Sequence, residues 1–132
     1  MLARILACIF LTLHGLVHML YFAQSARIFE LKTGMTWPAG SWALSRPFGD
    51  NATRIFASVL CALIALGFVI GAVAMISGQP WWSGPVVTST VVSVVLFVLC
   101  WNGRLQNLDG QGAVGILLDD LILLTVLVFR WP

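Results

Sequence analysis

Charge is scarce in this sequence. Lys and Arg number seven, Asp and Glu five, and together they make up 9% of the 132 residues. A water-soluble domain carries about 25%. So few charged side chains cannot cover a soluble surface, and a water-soluble fold is excluded on that ground. The net charge of +2 is small and scattered, which excludes a nucleic-acid binder with its basic patch. Cysteine is sparse too. Cys8, Cys61 and Cys100 stand singly in apolar runs with no CxxC, which excludes a disulfide framework, a zinc knuckle and a dithiol oxidoreductase; they read as small buried hydrophobes. There is no Walker loop, no GxSxG and no Ser-His-Asp order at catalytic spacing.

What is present is apolar: hydrophobic residues make up 60% of the chain. That is far too many for disorder, and the length allows one domain, residues 1–132. Four apolar runs stand out, at about 2–24, 53–76, 85–101 and 111–129. Each has the length, or nearly so, of the ~20 helical residues that cross a hydrocarbon core. Backbone groups in lipid must be satisfied within the segment, so the runs predict helices. The first run is too long for a signal peptide and contains two histidines. Ser77-Gly78-Gln79-Pro80 ends the second run, Pro85 suits the first turn of the third, and 102–112 is a polar, glycine-rich loop. The six tryptophans, Trp37, Trp42, Trp81, Trp82, Trp101 and Trp131, lie in loops or at run ends, as in an interfacial belt. The expectation is an all-α, integral membrane, four-helix up-down bundle with a long loop at 25–52, part of which reads as a short interfacial helix.

Orientation follows from basic residues. Arg27, Lys32, Arg46, Arg54 and Arg104 fall on the side of the long loop; Arg4 and Arg130 fall on the other. The positive-inside rule then expects a cytoplasmic long loop, both termini outside, and a multi-pass protein of the bacterial inner membrane.

Asp119 and Asp120 interrupt the fourth run near its middle. Each costs about 2.5 to 3.5 kcal/mol at a helix centre, and the run's twelve Val, Ile, Leu and Phe residues return roughly 4 to 7 kcal/mol in all. At least one of the pair should therefore lie inside the bundle, in reach of His14, His18 or water. Gly112 and Gly115 share the face of Asp119 and allow close helix approach. His14 and His18, spaced i, i+4, share a face that continues to Tyr21. Two such histidines can hold a metal, but the run HGLVH lacks the glutamate of a zinc protease, and no second helix offers a histidine for bis-His haem. No cofactor is expected; a metal at His14 and His18, or a haem, is the minor reading. In an up-down bundle His18 and the two aspartates reach similar depths, with Arg54 nearer the surface on the same side. The candidate intramembrane site is thus His14, His18, Tyr21, Arg54, Asp119 and Asp120. Gly67 and Gly71, and Ser89 and Ser93, form small-residue pairs for helix packing.

The order His14-Gly15-Leu16-Val17-His18 with Phe22, then Ser45-Arg46-Pro47, Trp81-Trp82, Trp101, and a glycine-started fourth helix with a polar residue before Leu121-Ile122, resembles small bacterial four-span membrane proteins, loosely DoxX-like in shape. The resemblance implies the four-helix fold and favours Asp120, which matches a polar position expected to be Asn in such proteins. Some carry a transporter-permease label, but this chain has no transport motif and no functional residue is carried over. The functional expectation is an accessory, binding or structural membrane subunit whose partners are the bilayer and a second copy or another membrane subunit, with no nucleic acid. The alternatives are a membrane enzyme or redox or proton-transfer protein acting on a lipophilic substrate through a His–Asp cavity, and a transporter component.

Overall fold

The computed structural model describes all residues, 1–132, as four α-helices with no strands. They are α1 (Leu2–Ser25), α2 (Ser45–Ile76), α3 (Ser83–Leu99) and α4 (Ala113–Leu123). A 3₁₀ turn at Leu108–Gln111 leads into α4, and a π turn at Leu124–Val128 extends it. The helices pack in chain order, α1 on α2, α2 on α3, and α3 on α4. Only α1 and α2 are long and apolar enough to cross a membrane by length and composition; α3 is apolar but has 17 residues, and α4 has eleven.

Two boundaries differ from the sequence expectation. The second helix begins at Ser45 rather than near 53, with a kink at Gly49, whose φ of 80° only glycine adopts readily. Asp50 fixes this corner by accepting bonds from Ser45 Oγ (2.5 Å) and the Gly40 amide (3.0 Å). These bonds hold its carboxyl below the usual carboxylate range, and the charge sits at the start of the helix that continues from the kink, where the helix dipole favours it. The fourth helix begins at Ala113, because Gly112 leaves the helical region with φ 85°.

Residues 26–44 form consecutive turns and not the expected interfacial helix. The segment is pinned down by polar bonds to helix ends. Gln24 donates to the Met35 carbonyl and accepts from the Leu31 amide, each at 2.9 Å. Ser41 Oγ donates to the Leu99 carbonyl, and Trp42 Nε1 to the Val98 carbonyl at 2.7 Å. These carbonyls lie in the last turn of α3, where the helix leaves acceptors without partners of its own. Lys32 bonds Asp109 of the second long connection at 3.0 Å and holds its carboxyl low. Trp37 departs from the interfacial belt. It is only 1% exposed and packs on Tyr21 and Phe97.

Small residues set the helix spacing. Gly15 of α1 faces the backbone of Ala65 and the Cβ of Phe68 on α2. Gly67 and Gly71 turn toward α3, against Ser89 and Val86. Gly112 lies on the Phe97 ring, with Gly115 one turn further along the same ring. The core between them holds Ala57, Cys61, Phe68, Val86, Leu96 and Phe97. Large apolar side chains also cover the outside of every helix, among them Leu13, Leu16, Val59, Leu66, Val95 and Leu117.

A methyl group at Gly112 would meet the Phe97 ring and force a side chain into a left-handed backbone. Gly112→Ala should therefore lower stability by at least about 2 kcal/mol. Gly84→Ala, with open space around it, should be neutral or stabilising by up to about 1 kcal/mol. Denaturant titration of both variants in detergent checks the contrast.

Candidate functional site

Three helices meet at one buried polar cluster. His14 and His18 lie one turn apart on the face of α1 that packs against α2, where Gly15 permits the close approach. His14 Nε2 lies 2.8 Å from Asp119 Oδ1 of α4. His18 Nδ1 lies 3.0 Å from the His14 carbonyl, and His18 Nε2 lies 2.7 Å from Ser93 Oγ of α3. A carbonyl can only accept, so Nδ1 carries the proton. In the neutral ring Nε2 then presents a lone pair, and the Ser93 hydroxyl donates to it.

The surroundings are aromatic and dry. Phe10 stacks on His14, Phe68 meets His14 edge-on, and Phe97 tilts against His18. His14 is 4% exposed, His18 1% and Asp119 0%. Asp119 Oδ2 is buried with no hydrogen-bond partner. A carboxylate oxygen left in this state costs roughly 1 to 3 kcal/mol or more, so the cluster is complete on one oxygen and open on the other. The three donor groups of His14, His18 and Asp119 lie within 4.8 Å of one another.

The structure brings three of the six expected residues together and leaves three elsewhere. Asp120, favoured by the resemblance, points outward and is exposed. The glycine face of α4 explains this. Gly112 and Gly115 seat on Phe97, Asp119 follows on that side, and the next residue is rotated by about 100°. Arg54 lies at the rim, where its Nε donates to the Ser25 carbonyl at 2.9 Å and caps the end of α1. It lines a cavity of about 310 Å³ with Gln24, Arg27, Glu30 and Trp37. Tyr21 packs between Trp37 and Phe97 and directs its hydroxyl to the Asp109 carbonyl at 3.4 Å. Ser93 is the polar member that the sequence reading placed among packing residues. Its hydroxyl in an apolar helix was the available signal. Phe68 and Phe97 carried none, since an aromatic in an apolar run reads as core.

A second feature adjoins the cluster. Between α1 and α4 lies an apolar groove of about 340 Å³, lined by Leu6, Phe10, Leu11, Ile122, Val126 and Trp131. Phe10 is shared, with its ring in the groove wall and stacked on His14.

No protein-family model matches the chain, and comparison with curated proteins and with solved structures gives no match either. Geometry and chemistry alone carry the functional reading.

Replacing Asp119 removes the partner of a buried histidine. Asp119→Leu should cost about 3 to 5 kcal/mol, as for other broken buried pairs, while Asp120→Leu, at an exposed position, should leave the isolated chain at least as stable as the parent. Equal effects in denaturant titrations of the two variants would contradict the burial pattern.

Proposed function

We propose that the protein is a multi-pass, four-span membrane protein that acts as a binding or accessory subunit rather than an enzyme. Apolar exteriors on all four helices support the membrane reading, since a shell of exposed leucine, valine and phenylalanine suits lipid and not water. The 17 residues of α3 sit at the lower end of the spanning range. The π turn adds five residues to the eleven of α4, giving roughly 24 Å of helix. The basic residues of the loop side favour a cytoplasmic long loop in a bacterial inner membrane.

The observation that carries the subunit reading is Asp120. Its carboxylate stands on an outward face among the exposed side chains of Leu117, Leu121, Leu124 and Leu127. In lipid that position costs about 2.5 to 3.5 kcal/mol, and a polar group on a neighbouring subunit removes the cost. The burial of His14, His18 and Asp119 supports binding over catalysis, because groups enclosed this fully present no surface to an organic substrate of ordinary size.

The groove beside Phe10 favours a second reading, in which a lipophilic molecule enters between α1 and α4 and presents a polar head to the His14–Asp119 pair. This is the form a membrane enzyme or redox protein would take. Native mass spectra that retain a lipophilic small molecule, lost on Phe10→Trp, would favour it.

Two measurements test the main reading. In a cysteine-free background, Thr33→Cys and Gln79→Cys should label from opposite sides of the membrane; labelling of both from one side overturns the four-span arrangement. In mild detergent the protein should run as an assembly larger than one chain, and Asp120→Leu should release the single chain. A wild-type protein that is a single chain without partners overturns the subunit reading.

A further inference from the structure

We propose that His14, His18 and Asp119 form a binding site for one divalent transition-metal ion of the zinc class. The inference deepens the reading of this cluster as a binding centre and rests on it.

Four observations point the same way. The donor set is two imidazole nitrogens and one carboxylate, which suits zinc and its first-row neighbours and not the oxygen-seeking calcium or magnesium. The three donor atoms already lie within 4.8 Å of one another. A tetrahedral ion with bonds of about 2.0 to 2.1 Å holds its donors about 3.4 Å apart. The His14–Asp119 contact, now 2.8 Å, would therefore widen and the other edges contract by no more than about 1.5 Å. His18 is oriented as metal-bound histidines are, with Nδ1–H donating to a backbone carbonyl and Nε2 presenting its lone pair inward. The unpartnered Oδ2 of Asp119, fully buried, leaves the carboxylate short of a partner, a deficit that a cation on the carboxylate would offset.

Proton balance is simple. An ion at His14 Nε2 requires that nitrogen to be bare, so the proton between it and Asp119 moves to Nδ1 or leaves with binding. Ser93 Oγ, now 2.7 Å from His18 Nε2, gives up that bond when the nitrogen takes the ion. The rings of Phe10, Phe68 and Phe97 pack on the two imidazoles and keep the surroundings of the site apolar.

The test uses untagged full-length protein in mild detergent, stripped with chelator and titrated with Co²⁺, then Zn²⁺. Visible d–d absorption of Co²⁺ and elemental analysis give geometry and stoichiometry. One ion per chain is expected, with tetrahedral Co²⁺ bands that Zn²⁺ abolishes. His18→Gln and Asp119→Asn should each weaken binding by at least about 100-fold with helical content unchanged, while Asp109→Asn, on the exposed connection, binds as the parent does. A folded wild-type protein that takes up neither ion overturns the site, whether or not the variants fold. Parent-like binding by either the Asp119 or the His18 variant overturns it as well. Assembly size, the measure of the subunit reading, is unaffected by that failure, so the two proposals can fail separately.

Discussion

The contact on which the arrangement depends is the pair His14–Asp119, which joins the first helix to the last. Backbones pack closely along the chain order, from α1 to α2, α3 and α4, but α1 and α4 make few close backbone approaches. Closure of the bundle on that side falls to a 2.8 Å bridge between long polar side chains in an apolar interior. A hydrogen bond in such a medium is electrostatically stronger than in water, and an unpaired partner is correspondingly costly. The bridge thus fixes the rotation of α4 about its axis in a way that apolar contacts, which are non-directional, cannot. The same gap leaves room for the groove between α1 and α4.

Phe97 is the apolar counterpart of that bridge. Its ring meets Tyr21 and His18 of α1, Trp37 of the long connection, and Gly112 and Gly115 of α4. One side chain therefore sets the seat of α4, one wall of the polar cluster and the floor under the covering loop. Glycine at 112 matters for two reasons at once, since the backbone there is left-handed and the ring leaves no room for a Cβ. The loop is held by bonds to carbonyls at the ends of α1 and α3 rather than by helix formation of its own. Its amphipathic composition reads as a surface helix in sequence, but Gly34, Gly40 and Pro38 break any regular period, and Trp37 is drawn inward onto Phe97.

Much of the fold was legible because apolar run length and turn residues report helices directly. The helical character of all four runs, and the loops between them, could be read from glycine, proline and charge. The early start of α2 could not, because it depends on Asp50 reaching Ser45 and Gly40 across a glycine corner. The grouping of His14, His18 and Asp119 was legible in part, from i, i+4 spacing and matching depth. Which aspartate turns inward was legible only in the glycine pattern. The resemblance pointed to Asp120, and the structure places Asp119 inside, because Gly112 and Gly115 determine which face of α4 meets α3. Ser93 was hidden by its own small size, which serves packing and hydrogen bonding equally well.

Two adjacent aspartates therefore meet opposite environments through one step of helix rotation. Asp119 is enclosed with one oxygen bonded and the other bare, while Asp120 faces away among leucines. Neither is placed where a carboxylate is comfortable in an isolated chain. Were α4 to lie in a bilayer, a single ionised acid on it would offset much of the apolar gain of the segment, and two would nearly cancel it. Packing alone accounts for half of Asp119 and for none of Asp120: a neutral hydrogen-bonding residue at 119 and a leucine at 120 would serve the bundle better. The two unmet demands differ in kind. The inner one is a buried oxygen that a small cation can satisfy in place, and the outer one is a surface that a polar group on a neighbouring helix can cover. On this reading the dipeptide Asp119-Asp120 links an internal binding centre to an external contact through a single turn of α4.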